Sequence, residues 1–146
     1  MMRDIHRSAL VPYSAEEMFN LVNDVESYPD FLPWCRDARV QMVDEQTVEA
    51  ALEFARSGLH RRFTTRNHLE NGRLIRMELV NGPFRELSGS WQFQALGLGG
   101  SKVILDLRFE FASRLLEAVF APVFAEVMNS LVDAFVERAH SLHGAS

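Results

Sequence analysis

The sequence predicts an α+β fold, in which a strongly curved antiparallel sheet of about seven strands wraps around one long C-terminal helix. From Asp37 to Phe111 apolar and polar residues alternate with a period of two, which is typical of strands with one buried and one solvated face. From Ser113 to His143 the chain is rich in Ala, Leu, Met and Glu and has no glycine, which predicts a helix. The apolar face of the sheet needs a cover, and this helix is the one predicted element long and apolar enough to provide it.

The N-terminal part predicts a strand followed by two short helices. Residues 3–11 have the pattern of a strand. Ser14 and Glu17 have the spacing of a capping box, so a helix is expected to follow. Its apolar side would consist of Met18, Phe19, Leu21 and Val22. Val25–Tyr28 predicts one or two further helical turns.

A proline-containing loop follows these helices. Pro29 and Pro33 lie four residues apart, which forbids a regular helix or a central strand here. The loop carries three large apolar side chains, namely Phe31, Leu32 and Trp34. It is interpreted either as a gate that can touch a lipid surface, since Trp favours membrane interfaces, or as a plug that packs over the core.

The central part predicts six strands joined by short turns. The strands are expected at about 37–44, 47–56, 59–68, 73–81, 85–95 and 101–111. Turn sequences such as Asn71-Gly72 and Gly82-Pro83 separate them. Connections this short imply that neighbouring strands are antiparallel.

The C-terminal helix has an unusually wide apolar face. At 100° per residue, seven apolar residues cover roughly 180° of its circumference, against the roughly 100° of an ordinary surface helix. They are Val123, Phe124, Val127, Met128, Leu131, Val132 and Phe135. Pro122 removes one backbone hydrogen bond, so a kink or short break is predicted near Phe120–Pro122, where it would also suit a hinge.

The length, net charge and cysteine count of the sequence exclude several classes of protein. The 146 residues suggest one domain, residues 1–146, and the net charge of −5 argues against a protein that coats nucleic acid non-specifically. Cys35 is the single cysteine, which excludes a disulfide framework and a cysteine metal cluster. It is interpreted as a small packed hydrophobe. No leader and no run of about 20 apolar residues is apparent, so a cytoplasmic protein, or one peripheral to the inner membrane, is expected.

Enzyme signatures are missing from the sequence. No glycine-rich phosphate loop, nucleophile elbow or metal-ligand spacing is present, so we expect no catalytic residues, no metal and no catalytic cofactor. His60 and His68 fall on the polar face of the sheet, where solvated residues are the rule. Glu117 is the one residue that could supply an acid or base for a cyclase-type reaction.

A large apolar and aromatic set has two interpretations. It is either a close-packed core or the lining and gate of a cavity at the open end of the bent sheet, where flexible Met side chains and large rings are typical. On the second interpretation the ligand-binding residues are Phe31, Leu32, Trp34, Phe54, Arg61, Phe63, Met77, Leu79, Trp91, Phe93, Phe120, Phe124, Met128 and Leu131.

Arg61 is the exception in that set. By strand alternation it shares a face with Leu59, Phe63 and Thr65, which points a guanidinium toward the apolar side. It is either a polar anchor for a ligand head group or a strand-end arginine that extends to water. A bulge at Gly58 that shifts the register is a further alternative.

Arginines are frequent on the strands predicted at 47–56, 59–68 and 73–81. They are Arg56, Arg61, Arg62, Arg66, Arg73 and Arg76. Glutamates on neighbouring strands can pair with several of them. The alternative is a patch for phosphate or RNA backbone, for which Arg62, Arg66 and Arg76 are the candidates.

Five segments carry a family resemblance. They are Ala9–Glu17, Leu21–Val25, Ser27–Cys35, Phe63–Asn67 and Asn81–Phe84. Together they resemble the family of ribosome association toxins (RatA) and coenzyme Q-binding proteins, in the START-like (polyketide cyclase/dehydrase-like) superfamily. The similarity runs from Arg3 to Ala139 and implies a helix-grip fold.

The resemblance implies two functions. One is binding of ubiquinone or another polyisoprenoid lipid in a cavity between the sheet and the C-terminal helix, in support of respiration. The other is binding to the large ribosomal subunit, which blocks subunit association. The resemblance implies no set of catalytic residues, so a cyclase-type enzyme is the least favoured of the three hypotheses. Bound ubiquinone is the one small molecule expected.

Overall fold

A computed structural model describes residues 1–144 and has the predicted helix-grip architecture, a seven-stranded antiparallel sheet packed against a C-terminal helical segment. The strands are β1 (Arg3–Val11), β2 (Cys35–Asp44), β3 (Thr47–Arg56), β4 (Leu59–Glu70), β5 (Leu74–Asn81), β6 (Phe84–Ala95) and β7 (Ser101–Phe111). The helices are α1 (Ala15–Asn23), α2 (Arg114–Asn129) and α3 (Leu131–His143), with 3₁₀ turns at Val25–Asp30 and Gly97–Gly99.

The strand order in the sheet is β1-β7-β6-β5-β4-β3-β2. From β2 to β7 each strand therefore pairs with its neighbour in sequence, and β1 closes the order by pairing with β7. The inner face is formed by alternate residues, for example Phe54, Phe63, Trp91 and Phe109, all of which are buried. Their alternation in the sequence is what made the strands predictable.

The predicted capping box begins α1. The Glu17 N–H donates to Ser14 Oγ at 3.0 Å, and the Ser14 N–H donates back to Glu17 Oε1 at 3.1 Å. The hydrogen bond from the Ser14 backbone lowers the pKa of Glu17. Met18, Phe19 and Val22 are buried against the sheet side, as their spacing predicts.

The helix break is not where the sequence placed it. Of the kink or short break predicted near Phe120–Pro122, the break is wrong, because α2 continues through Pro122 and ends at Asn129. Pro122 is exposed, while Phe124 is buried, so packing of the apolar face holds the helix across the proline. The break lies at Ser130, whose hydroxyl donates to the Val127 carbonyl at 2.8 Å and competes with regular helical bonding.

Taken together, α2 and α3 meet the length and mean hydropathy of a membrane span over Arg114–His143, criteria that a helix buried in a protein core also meets. The phenylalanines Phe120, Phe124 and Phe135 are at most 5% exposed, whereas the apolar residues Leu115, Val119 and Leu142 are exposed. Packing against the concave sheet therefore accounts for part of the apolar composition, since 39% of the most apolar window is buried.

The proline loop is a plug and not an exposed gate. Leu32 is 1% exposed and Trp34 is 4% exposed, and Phe31 is partly buried. The ring of Phe31 packs edge to face on Phe135 at a centroid distance of 5.4 Å. Burial in the core removes these side chains from any lipid surface, so the predicted membrane contact does not lie here.

Candidate functional site

A cavity of about 70 Å³ lies between the concave face of the sheet and the helical segment. It is lined by five strands, the Val25–Asp30 turn, the proline loop and both C-terminal helices. The lining residues are Val25, Tyr28, Trp34, Ala50, Leu52, Phe63, Thr65, Asn67, Met77, Leu87, Trp91, Leu105, Leu107, Phe124, Met128 and Leu131. The helical wall combines Phe124 and Met128 from α2 with Leu131 from α3, so the break at Ser130 lies within it.

The structure divides the fourteen predicted ligand-binding residues into two equal groups. Seven of them line the cavity, namely Trp34, Phe63, Met77, Trp91, Phe124, Met128 and Leu131. The other seven do not, namely Phe31, Leu32, Phe54, Arg61, Leu79, Phe93 and Phe120. The predicted set therefore covers both a void and the packed core beside it.

The packed part is an aromatic cluster under α2. Phe124 lies at its centre, with ring centroids 4.9 Å from Phe109, 5.2 Å from Phe84 and 5.6 Å from Phe54. Phe120 adds a contact of 6.0 Å to Phe111. These are the distances of interlocked rings, so Phe54 and Phe120 belong to a close-packed core. Phe124 contacts that core and also borders the void.

Arg61 is not the polar anchor of the cavity. It is exposed, with its guanidinium carbon 5.2 Å from the centroid of the Phe120 ring and Nη1 donating to the His60 carbonyl at 3.0 Å. It pairs with Phe54 across the strands, so it is on the inner face, but near the end of β4. Its long side chain reaches water there, as the alternative interpretation held.

The polar groups of the cavity are ones that the sequence interpretation missed. Thr65 and Asn67 follow Phe63 at two-residue intervals on β4 and are 7% and 5% exposed. The Thr65 hydroxyl donates to Asn67 Oδ1 at 2.8 Å. Their alternation with Phe63 was the signal available in the sequence, since residues i, i+2 and i+4 of a strand share one face.

No carboxylate, imidazole or thiol of residues 1–144 faces the cavity. Among the lining residues of the described chain none is Asp, Glu, His or Cys, and Tyr28 is the one titratable group. Burial raises the pKa of Tyr28, whose hydroxyl donates to the Val22 carbonyl. Glu117 is outside the lining and its Oε1 accepts from Arg3 Nε at 3.2 Å. Within residues 1–144 no group of three His, Cys, Asp or Glu could hold a metal ion.

Two of the three candidate ribosome-contact arginines are paired on the outer face. Arg66 Nη2 lies 2.7 Å from Glu49 Oε2, which raises the pKa of Arg66, and Arg62 Nη2 lies 3.6 Å from Glu53 Oε2. Arg76 is exposed and makes no ion pair within 4.0 Å among residues 1–144. Cross-strand ion pairing therefore explains the presence of Arg62 and Arg66 on the outer face, but it does not explain that of Arg76.

Comparison with known proteins assigns this chain to a family. The model of the family described as polyketide cyclase / dehydrase and lipid transport matches residues 11–136. The chain belongs to this START-like family. The family match covers every cavity-lining residue, from Val25 to Leu131.

Two relatives and one solved structure illustrate what this chain is similar to. The ribosome association toxin RatA of Pseudomonas aeruginosa is 49% identical over 144 residues, which covers 99% of this chain and all of that protein. The mitochondrial coenzyme Q-binding protein coq10 of Schizosaccharomyces pombe is 28% identical over 141 residues, with 93% and 86% of the chains covered. The aromatase/cyclase ZhuI from Streptomyces sp. R1128 superimposes with a TM-score of 0.85 at 16% identity, over 100% and 99% of the chains.

These similarities support different kinds of conclusion. The similarity to the cyclase is at the level of fold alone, because one fold hosts many functions. Similarity to the toxin covers the full length of both chains. Neither of the two relatives is named as an enzyme.

Proposed function

We propose that this chain binds an apolar small molecule, a quinone with a polyisoprenoid tail such as ubiquinone, between the sheet and the α2–α3 segment. The observation that carries the proposal is the apolar cavity bordered by Trp91, Phe124 and Met128. The lipid-transport description of the family and the coenzyme Q-binding name of the yeast relative support the ligand class. The protein would hold this ligand in support of respiration without chemical change, because among residues 1–144 no Asp, Glu, His or Cys lines the cavity and the Tyr28 hydroxyl is bonded to the Val22 carbonyl.

The cavity must widen to accept such a ligand. Its volume of about 70 Å³ is well below the roughly 300–1,000 Å³ of typical small-molecule sites. Met77 and Met128 are unbranched and flexible, so their side chains can move away from the void. Leu131 follows the break at Ser130, where the helical wall is already interrupted.

The apolar tail would provide most of the affinity. Two isoprene units contain ten carbons, and burying them contributes about 8 kcal/mol at about 0.8 kcal/mol per carbon. The costs of association and of widening the cavity reduce this value. Short-chain ubiquinones are therefore the practical probes, since they keep a tail of this length and remain soluble.

The test uses the two tryptophans of the chain, Trp34 and Trp91, both of which line the cavity. Ubiquinone-2, a quinone acceptor, should quench their fluorescence saturably, and organic extraction of the purified protein should yield a quinone or polyisoprenoid by mass spectrometry. Free tryptophan at the same absorbance corrects for unspecific quenching. Quenching no stronger than that of free tryptophan, together with an extract empty of lipid, would contradict the proposal.

A second candidate is a RatA-type role, binding to the large ribosomal subunit and blocking subunit association. The observation that favours it is the 49% identity to the Pseudomonas toxin over its whole length. We propose the outer sheet face around Arg62, Arg66 and Arg76 as the contact, with Arg76 first because it has no ion-pair partner in residues 1–144. Such a role would place the protein in the cytoplasm.

Co-sedimentation with purified large subunits tests this candidate. Binding should weaken as salt rises, because phosphate contacts release counterions. Arg76→Glu should reduce it more than Arg85→Glu, a matched charge reversal at an arginine outside the proposed contact and only 3.9 Å from Glu110. Equal effects of the two variants would exclude Arg76 as part of the contact.

A further inference from the structure

Two polar side chains stand on an otherwise apolar cavity wall. Thr65 and Asn67 are neighbours on the inner face of β4, and both are more than nine-tenths buried. In the strand register Thr65 is opposite Ala50, and Asn67 is opposite Met77. Ala50 and Met77 also line the cavity. The polar pair therefore lies between a small side chain and a flexible one, where a ligand can approach.

The hydrogen-bonding capacity of the pair is only partly used. Thr65 gives its one hydroxyl proton to Asn67 Oδ1. The amide Nδ2 of Asn67 makes no side-chain hydrogen bond within residues 1–144, although it carries two donor protons. Asn67 lines the cavity, and a donor left without an acceptor costs free energy, so water or a ligand in the cavity is the available partner for this amide.

Packing does not require this pair. Its surroundings are apolar, and Val and Leu in place of Thr65 and Asn67 would keep the side-chain shapes without leaving a donor unpaired. The cavity volume of about 70 Å³ exceeds the roughly 10–15 Å³ that one water needs, so water can satisfy Nδ2 when no ligand is bound. A ligand group that displaces this water without loss must itself be a hydrogen-bond acceptor.

We propose that Asn67, oriented by Thr65, is the hydrogen-bond donor to a carbonyl oxygen of the bound ligand. The site then selects a quinone or another carbonyl-bearing prenyl compound over a hydrocarbon of the same shape. This inference rests on the proposed ligand-binding function and adds its specificity. The carbonyl accepts from Asn67 Nδ2, while the apolar ring and tail lie against the remaining wall, which includes Trp91 and Phe124.

The test compares two ligands by isothermal titration calorimetry. One is ubiquinone-2, and the other is a hydrocarbon of similar shape, with the same geranyl tail, ethyl groups in place of the two methoxy groups and no carbonyl oxygens. Wild-type protein should bind ubiquinone-2 about tenfold more tightly, since an analogue without the acceptor leaves the donor unpaired. Asn67→Leu should remove most of this preference by weakening ubiquinone-2 while leaving the analogue unchanged or slightly tighter. Thr65→Val should reduce the preference in part.

Control variants keep the test decisive. Asn81→Leu makes the same substitution at an exposed position at the end of β5, outside the lining, and should leave both affinities unchanged. If Asn67→Leu does not fold, Thr65→Val, which changes only the hydroxyl, carries the comparison. Equal wild-type affinity for the two ligands, or an equal loss of both affinities in the variants, would contradict the role of Asn67 as the donor. The proposed ligand-binding function would be unaffected by that result. Binding of neither ligand to the wild type overturns both.

Discussion

The Tyr28 hydroxyl donates a hydrogen bond to the backbone carbonyl of Val22, and both residues are buried. This bond joins the 3₁₀ turn to the end of α1. The same turn supplies Val25 and Tyr28 to the cavity wall. One polar contact in apolar surroundings therefore fixes one side of the candidate site.

Tyr28→Phe tests this contact. The ring would remain in place, 5.3 Å from Phe135, but the Val22 carbonyl would lose its side-chain donor. We expect a loss of about 1–3 kcal/mol in the free energy of unfolding, measured by urea denaturation. The matched control is Tyr13→Phe, whose hydroxyl lies 2.6 Å from His140 Nδ1 at a more exposed site. Equal losses in the two variants would mean that burial does not increase the contribution of the Tyr28 hydrogen bond to the free energy of unfolding.

Filling the cavity should separate ligand binding from folding. Ala50 lines the void, and Ala50→Leu adds three carbons that occupy much of its volume of about 70 Å³. We expect unchanged or higher thermal stability and loss of ubiquinone-2 quenching. Ala38→Leu is the control, because Ala38 is buried but outside the lining, and overpacking there should cost about 1–3 kcal/mol. Quenching that survives in Ala50→Leu would contradict the site assignment.

Replacement of the α2 proline tests the continuity of that helix. Pro122 is exposed and lies inside a regular helix, so Pro122→Ala restores a backbone N–H and removes a clash without loss of core contacts. We expect the free energy of unfolding to rise by about 1–3 kcal/mol, measured by denaturant titration. Helix content by circular dichroism should not fall. A loss of stability would show that the proline shapes the chain at this point.

The sheet could be predicted closely because its sequence signals are local. The strand expected at 47–56 is found at Thr47–Arg56, and the last strand also has the predicted bounds, Ser101–Phe111. Alternation assigns each residue to a face, and turn residues mark the ends. These two signals together determine the architecture of the sheet.

The site could be predicted only in part, because alternation gives the face of a side chain and not its depth. Arg61 and Asn67 share the inner face of β4, yet the longer side chain reaches water near the strand end while the shorter one is buried. Composition likewise does not tell which rings interlock. Phe54 packs in the aromatic cluster and Phe63 borders the void, a difference set by long-range packing.

The buried thiol of Cys35 gives a prediction about pH. Burial raises the pKa of Cys35 to about 11, and its Sγ donates to the Asp37 carbonyl at 3.5 Å. The raised pKa means that the folded state favours the neutral thiol. The resulting stability is fully present below the pKa of the unfolded thiol, about 8.5–9, and is lost as the pH rises toward 11.

Two measurements check this prediction. At pH 8 the native protein should react with Ellman's reagent at least about 100-fold more slowly than the urea-unfolded protein, because the thiolate is scarce and shielded. Between pH 9 and 11 the free energy of unfolding should fall more steeply for wild type than for Cys35→Ala, a comparison that cancels the titration of the tyrosines and of Lys102. Rapid labelling at pH 8, or parallel pH profiles of the two proteins, would show that Cys35 is accessible and not the packed hydrophobe described above.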